Sequence, residues 1–227
     1  MRKSNFEDAL VFKPEFITFT GADDKTDIGD LLALAESHAV EFAILFSPSR
    51  EGTARFPRQE WIEAIQRSGL RLAAHICGGW ARQIVEEGWS EIDGRLHGFA
   101  RVQINTAQAV DPGRIHSWAK SAGRQSGQEI EPILQCRGPF PEDPRVSWLY
   151  DPSGGRGISP ATWPDLPGET VRFGYAGGLG PDNVAEVLAM LPEHEGGWID
   201  MESRVRNGCD EFDTGLCRAV CEAVRAA

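Results

Sequence analysis

No stretch of this chain is apolar for long enough to cross a membrane, which takes roughly 20 consecutive apolar residues; its hydrophobic residues fall in short runs. Residues 1–12 begin basic, at Arg2 and Lys3, but Glu7 and Asp8 interrupt any signal-like apolar core. A cytoplasmic protein with no membrane partner is therefore expected. Cysteine is sparse and odd in number, five residues without a CxxC spacing, so reduced thiols are expected rather than disulfides or a zinc cluster. Positive charge is short as well. The net charge of −11 speaks against nucleic acid and acidic membrane surfaces as partners. It leaves a small anionic ligand open, because a few local arginines outweigh the global field. No GxGxxG follows the first strand and no GK[ST] is present, which excludes the usual dinucleotide and Walker A signatures. Metal-binding side chains do not cluster, and there is no low-complexity tract.

What the chain does contain is a regular alternation. Short apolar runs begin near residues 16, 41, 70, 99, 130, 146, 171 and 197. Helical patterns follow most of them, at 28–37 (with Asp27 as N-cap), 58–67, 78–87, 112–123, 184–191 and 213–224. Residues 90–96 read as a short extra turn. After the fifth run, Gly138-Pro139-Phe140-Pro141 and Pro144 forbid a helix. Alternating strands and helices imply a parallel sheet. Eight units favour closure into an α/β fold of the (β/α)8 TIM barrel type, with the helix after strand five missing or very short. The chain 1–227 is expected to form a single barrel domain, with 1–14 as an N-terminal arm. Trp61, Trp80 and Trp118 fall on helices and should pack the barrel shell. Cys217 and Cys221, four apart on the last helix, should be small core residues.

In such a barrel the reacting groups sit at the C-terminal ends of the strands, and phosphate is commonly held by the loops after strands seven and eight. Two stretches carry most of the signal, WLYDPSGGRG from Trp148 and RFGYAGGLGPDNV from Arg172. Asp151 closes the first, beside Gly154 and Gly155. A carboxylate desolvated there can hold and transfer a proton; the plainer reading is an aspartate that braces its own loop. Gly177 and Gly178 close the second, where backbone N–H groups can approach a phosphate with no Cβ in the way; the plainer reading is a helix-start turn. Ser203 and Arg204 add a hydroxyl and a guanidinium fork to the same anion, or else form a solvated loop. His75 and Cys77 lie two apart and share a face. They read as a packed lumen layer or as a reactive pair whose thiolate abstracts a proton. Arg50 or Arg55 in the second loop and Thr20 at the first strand's end complete the set. The expected partner is a small phosphorylated substrate. No cofactor and no metal are called for, and the chain is expected to be a monomer or homodimer.

The sequence DPSGGRG, then AGGLGPDNV, then IDMES and the Asp213-led last helix resembles the phosphoribosylanthranilate isomerase family of tryptophan biosynthesis in order and spacing. The first half fits more loosely, through Phe46-Ser47-Pro48, Arg55-Phe56 and Val102-Gln103-Ile104. The resemblance implies a TIM barrel, often without a fifth helix. It also implies an Amadori rearrangement of an aldose-phosphate amine to a ketose-phosphate amine, with an aspartate as general acid on the ring oxygen and a cysteine as base at the sugar C2. Carried over, Asp151 is the acid, Gly177, Gly178, Ser203 and Arg204 hold the phosphate, and Arg55 contacts the substrate. The chain departs from the family where it has Thr18 and Thr20 in place of a lysine and the base cysteine. It departs again where Ser203-Arg204-Val205-Arg206 replaces Ser-Gly-Val-Glu. A threonine hydroxyl does not act as a base at neutral pH without activation. The resemblance therefore implies a related scaffold with another substrate. Cys77, His75, Asp24 and Glu202, in falling order, are the alternative bases. The other readings are a genuine tryptophan-pathway isomerase and a silent binder of phosphorylated metabolites.

Overall fold

The computed structural model describes residues 11–154 and 157–227. Eight parallel strands follow in order: β1 (Phe16–Thr20), β2 (Val40–Phe46), β3 (Leu72–Ile76), β4 (Arg101–Ile104), β5 (Glu131–Cys136), β6 (Ser147–Tyr150), β7 (Phe173–Tyr175) and β8 (Trp198–Met201). Each pairs with its sequence neighbour, and β8 pairs back onto β1 with Thr18 opposite Asp200, so the sheet closes into a barrel. Among the described residues six helices pack outside: α1 (Ile28–Ala35), α2 (Gln59–Gln66), α3 (Gly78–Glu87), α4 (Pro112–Ser126), α5 (Val184–Met190) and α6 (Thr214–Ala226). Asp27, Asp111 and Asp213 cap α1, α4 and α6 by accepting backbone N–H groups of the first turn.

The fold is thus the (β/α)8 barrel, and no helix lies between β5 and β6. The β6–β7 connection has none either among its described residues, where Pro152, Pro160, Pro164 and Pro167 each remove a backbone donor. The extra turn before β4 is a single 3₁₀ turn, Asp93–Arg95. Of the expected arm, residues 1–10 lie outside the described ones. Phe12 is buried edge-on against Tyr175, with ring centroids 5.4 Å apart. Trp80, Trp118, Cys217 and Cys221 are buried on the inward faces of their helices.

The two-residue period of the strands sorts side chains into shell and lumen. Ile17, Phe19, Phe42, Ile44, Ile76, Val102, Leu134 and Ile199 face outward into the shell core beneath the helices. Phe16, Ile133, Leu149, Ala176 and Trp198 form a separate apolar layer in the lumen. Several other lumen positions are polar. Arg101 ion-pairs with fully buried Glu41 at 2.8 Å and with Glu131 at 3.2 Å, while Thr18 donates to Glu41 at 3.0 Å and Ser147 to Glu131 at 2.6 Å. The Arg101 guanidinium also lies 4.0 Å from the Trp198 ring centroid. That indole crosses the lumen only because β7 offers Gly174, where a Cβ would stand 2.4 Å from the ring. These groups fill the N-terminal end of the barrel, so the open space lies at the other end. No helix among the described residues is long and apolar enough to cross a membrane.

Candidate active site

The C-terminal strand ends surround one cavity of about 630 Å³. Thr20, His75, Cys77, Asp151, Gly154, Gly177, Gly178, Ser203, Arg204 and Arg55 all line it. Gly155 lies outside the described residues. Of the other candidate bases, Glu202 lines the cavity, whereas Asp24 is bound to Arg58 on the rim through its backbone N–H and guanidinium, at 2.8 and 2.6 Å.

Asp151 follows β6 directly and is buried. Its Oδ1 accepts from the Ser153 amide (3.1 Å), the Ser153 hydroxyl (2.8 Å) and the Gly154 amide (3.1 Å), and its Oδ2 accepts from Gln135 at 3.2 Å. It therefore braces its loop and lines the cavity at once.

Gly177 and Gly178 both hold positive φ, 116° and 65°. A Cβ on Gly178 would stand 2.6 Å from the Gly157 carbonyl oxygen, so the turn packs against the β6–β7 loop in a way only glycine allows. Among the described residues, the amides of Gly177 and Gly178 find no acceptor. The Gly178 carbonyl, by contrast, accepts from Asn183 (2.9 Å), Ser159 (3.3 Å) and Arg204 (3.2 Å). Ser203 opens the 3₁₀ turn Ser203–Val205.

Arg55 sits in the left-handed region at φ 72°. Its amide donates to Asp23 at 2.8 Å, and its guanidinium is taken by Glu202 and Asp210, each at 2.6 Å. Arg206, buried on the same side, donates to the Gly21 carbonyl (2.7 Å) and pairs with Asp23 (3.3 Å) and Asp210 (2.8 Å). Together they tie the loops after β1, β2 and β8. Two further arginines line the cavity: Arg50, 4.2 Å from the Phe56 ring centroid, and Arg137. Neither makes an ion pair among the described residues.

His75 and Cys77 share the lumen side, as their spacing implies, but their surroundings do not favour a charged pair. Burial, with help from Arg101, pushes the His75 imidazole down to about 3, so it is neutral at ordinary pH. Burial pushes the Cys77 thiol up to about 11, outweighing the hydrogen bond that Asn105 donates to its Sγ at 3.1 Å. Sequence reasoning missed Asp200. It lies on β8, is buried, and accepts from Thr20 at 2.9 Å. Burial first, then Glu202, Glu41 and Asp151, push its carboxyl up to about 8 against the Thr20 hydrogen bond. The rule that paired His75 with Cys77 also puts Trp198, Asp200 and Glu202 on one face. The apolar neighbours of Asp200 in the run WIDM masked the signal. No group of three or more His, Cys, Asp or Glu is placed to hold a metal among the described residues.

No protein-family model matches the sequence, and no curated protein matches it at a significant level. Solved structures do match. A phosphoribosyl anthranilate isomerase from Thermus thermophilus aligns over 92% of this chain and 98% of its own, with a TM-score of 0.59 at 18% identity. TrpF from Jonesia denitrificans aligns over 93% and 97%, with a TM-score of 0.61 at 16% identity. KGPDC from Streptococcus mutans aligns over 94% and 98%, with a TM-score of 0.54 at 11% identity. Across more than nine-tenths of its length, this chain has the barrel fold of phosphoribosylanthranilate isomerases.

Proposed function

We propose that the protein is an acid–base enzyme acting on a phosphorylated sugar or related phosphometabolite, as an isomerase of the aldose–ketose type or a lyase. The observation that carries this reading is that Asp151 lines the same cavity as Gly177 and Gly178, whose amides find no acceptor among the described residues. Its volume falls within the range of small-molecule sites, roughly 300–1,000 Å³. The glycine amides, with Ser203 and Arg204, would take the phosphate, since backbone N–H groups in a nest bind anions. Asp151 is the proton-transfer group at the opposite loop. Cys77 and His75 meet the substrate as uncharged groups. One of the solved structures of similar fold carries the name phosphoribosyl anthranilate isomerase, which agrees with the reading.

The genuine tryptophan-pathway reaction is disfavoured by two features. Thr20 stands where the resemblance requires the base cysteine, and the Arg55 fork is already filled by Glu202 and Asp210. Expression in a tryptophan auxotroph lacking this isomerase is expected to give no rescue.

The reading is tested by a thermal-shift screen with phosphorylated aldoses and ketoses, followed by NMR of hits for chemical change. A ligand present at 100 times its Kd stabilises the native state by about 2.7 kcal/mol, which a melting curve resolves. Turnover that Asp151→Asn lowers by roughly 10²–10⁴ supports the enzyme. Binding without turnover of any phosphosugar supports the silent binder instead.

A further inference from the structure

Asp200 lies in the cavity floor with one carboxyl oxygen engaged and the other not. Oδ1 accepts the Thr20 hydroxyl at 2.9 Å. Oδ2 is buried without a hydrogen-bond partner among the described residues; the His75 Nε2 is 3.7 Å away, beyond hydrogen-bond reach. The charged and titratable groups around it are Glu202 beyond the end of β8, Glu41 from β2, Asp151 from the loop after β6, and His75 from β3. The first three are carboxylates, and none of the described arginines or lysines pairs with Asp200. A buried carboxylate oxygen facing other carboxylates, with no donor of its own, is most stable carrying a proton. Asp151 differs, since its oxygens accept four described hydrogen bonds.

We propose that Asp200 is a catalytic residue, whose Oδ2–H is the proton donor to a substrate oxygen, with the Asp151 carboxylate as the proton acceptor. The proposal rests on the acid–base function proposed above. It reverses the role that the family resemblance implies for Asp151. The cavity then holds two carboxyls in different environments, the arrangement by which acid and base are told apart in other enzymes. The upward push on the Asp200 carboxyl, to about 8, agrees with a proton retained at neutral pH.

The fitting substrate is a cyclic aldose phosphate bearing a hydroxyl or amine at C1. Oδ2–H protonates the ring oxygen, and the C1–O ring bond breaks with its electron pair left on that oxygen. The lone pair of the C1 substituent forms the new double bond to C1. Asp151 removes the C2 proton, giving the enol or enamine, and returns it at C1. The C2 hydroxyl becomes the carbonyl, and its proton restores Asp200. No oxidant or reductant is needed.

The test compares wild type, Asp200→Asn and Asp151→Asn in D2O, with ribose 5-phosphate and glucose 6-phosphate as probes, following exchange of the C2 proton by NMR. Wild-type exchange should fall as pH rises through about 8, where the donor is lost. Asp200→Asn should exchange at least about 100-fold more slowly at neutral pH. It should also lose that descending limb, while inorganic phosphate still raises its melting temperature as in wild type. Full exchange by Asp200→Asn overturns the proposal and leaves the enzyme reading intact. No exchange by wild type with these two or with any phosphosugar that the thermal-shift screen finds to bind overturns the enzyme reading, and a catalytic Asp200 with it. Carboxyl 13C NMR of the wild type provides a check independent of any variant. One aspartate resonance should titrate near 8, and ionisation of every carboxyl by about pH 6 would overturn the proposal.

Discussion

Asp200 also makes the stability of this protein depend on pH in a direction opposite to that of most carboxylates. In the unfolded chain the group ionises around its ordinary 3.8; in the fold it does so at about 8. Between those values the native state keeps a proton that the unfolded state has released, so stability falls as pH rises through the window and the loss is complete above about 8. Each pH unit inside the window is worth about 1.4 kcal/mol. From about pH 5 to about pH 8 the penalty grows by roughly 3.5 kcal/mol, because the slope fades at the upper end. Against a total stability of about 5–15 kcal/mol, that is a large share. Asp200→Asn keeps an oxygen to accept from Thr20 and has no charge to bury. The variant should therefore gain on the wild type by about that amount over the same interval. Urea unfolding of both proteins at the two pH values measures the difference directly. Parallel behaviour, with a wild-type-to-variant gap that does not change with pH, would refute the claim that burial keeps Asp200 protonated.

The charge environment of Cys77 predicts slow alkylation at neutral pH. Its reaction with iodoacetamide, mapped by mass spectrometry against exposed Cys209, should lag and accelerate only towards about pH 11. Gly178→Ala places a Cβ against the Gly157 carbonyl at positive φ and should cost about 1–3 kcal/mol in denaturant titration, with weaker phosphate binding in the same protein. In the barrel floor, Arg101→Ala leaves Glu41 and Glu131 without their shared cation. A loss of about 3–5 kcal/mol is expected, and the double variant Glu41→Gln/Arg101→Met should recover part of it.

The sequence by itself determined the barrel. Eight apolar runs with helical stretches between most of them leave few ways to bury both faces of a parallel sheet, and closure needs no long-range information beyond their number. The prolines of 138–144 were enough to remove the helix after β5, since a missing N–H is a local fact. The Gly177–Gly178 pair was legible for the same reason: a turn that admits no Cβ shows as glycine in the sequence. Only the tertiary structure decided the charge states. His75, Cys77 and Asp200 were letters of fixed ordinary pKa until β1, β2, β3 and β8 converged and removed water from around them. Arg55 read, by resemblance, as a contact to substrate, and the structure fills its fork with Glu202 and Asp210 from the β8 loop. Desolvation and ion pairing depend on groups far apart in the chain, and a pattern read along one strand does not contain them.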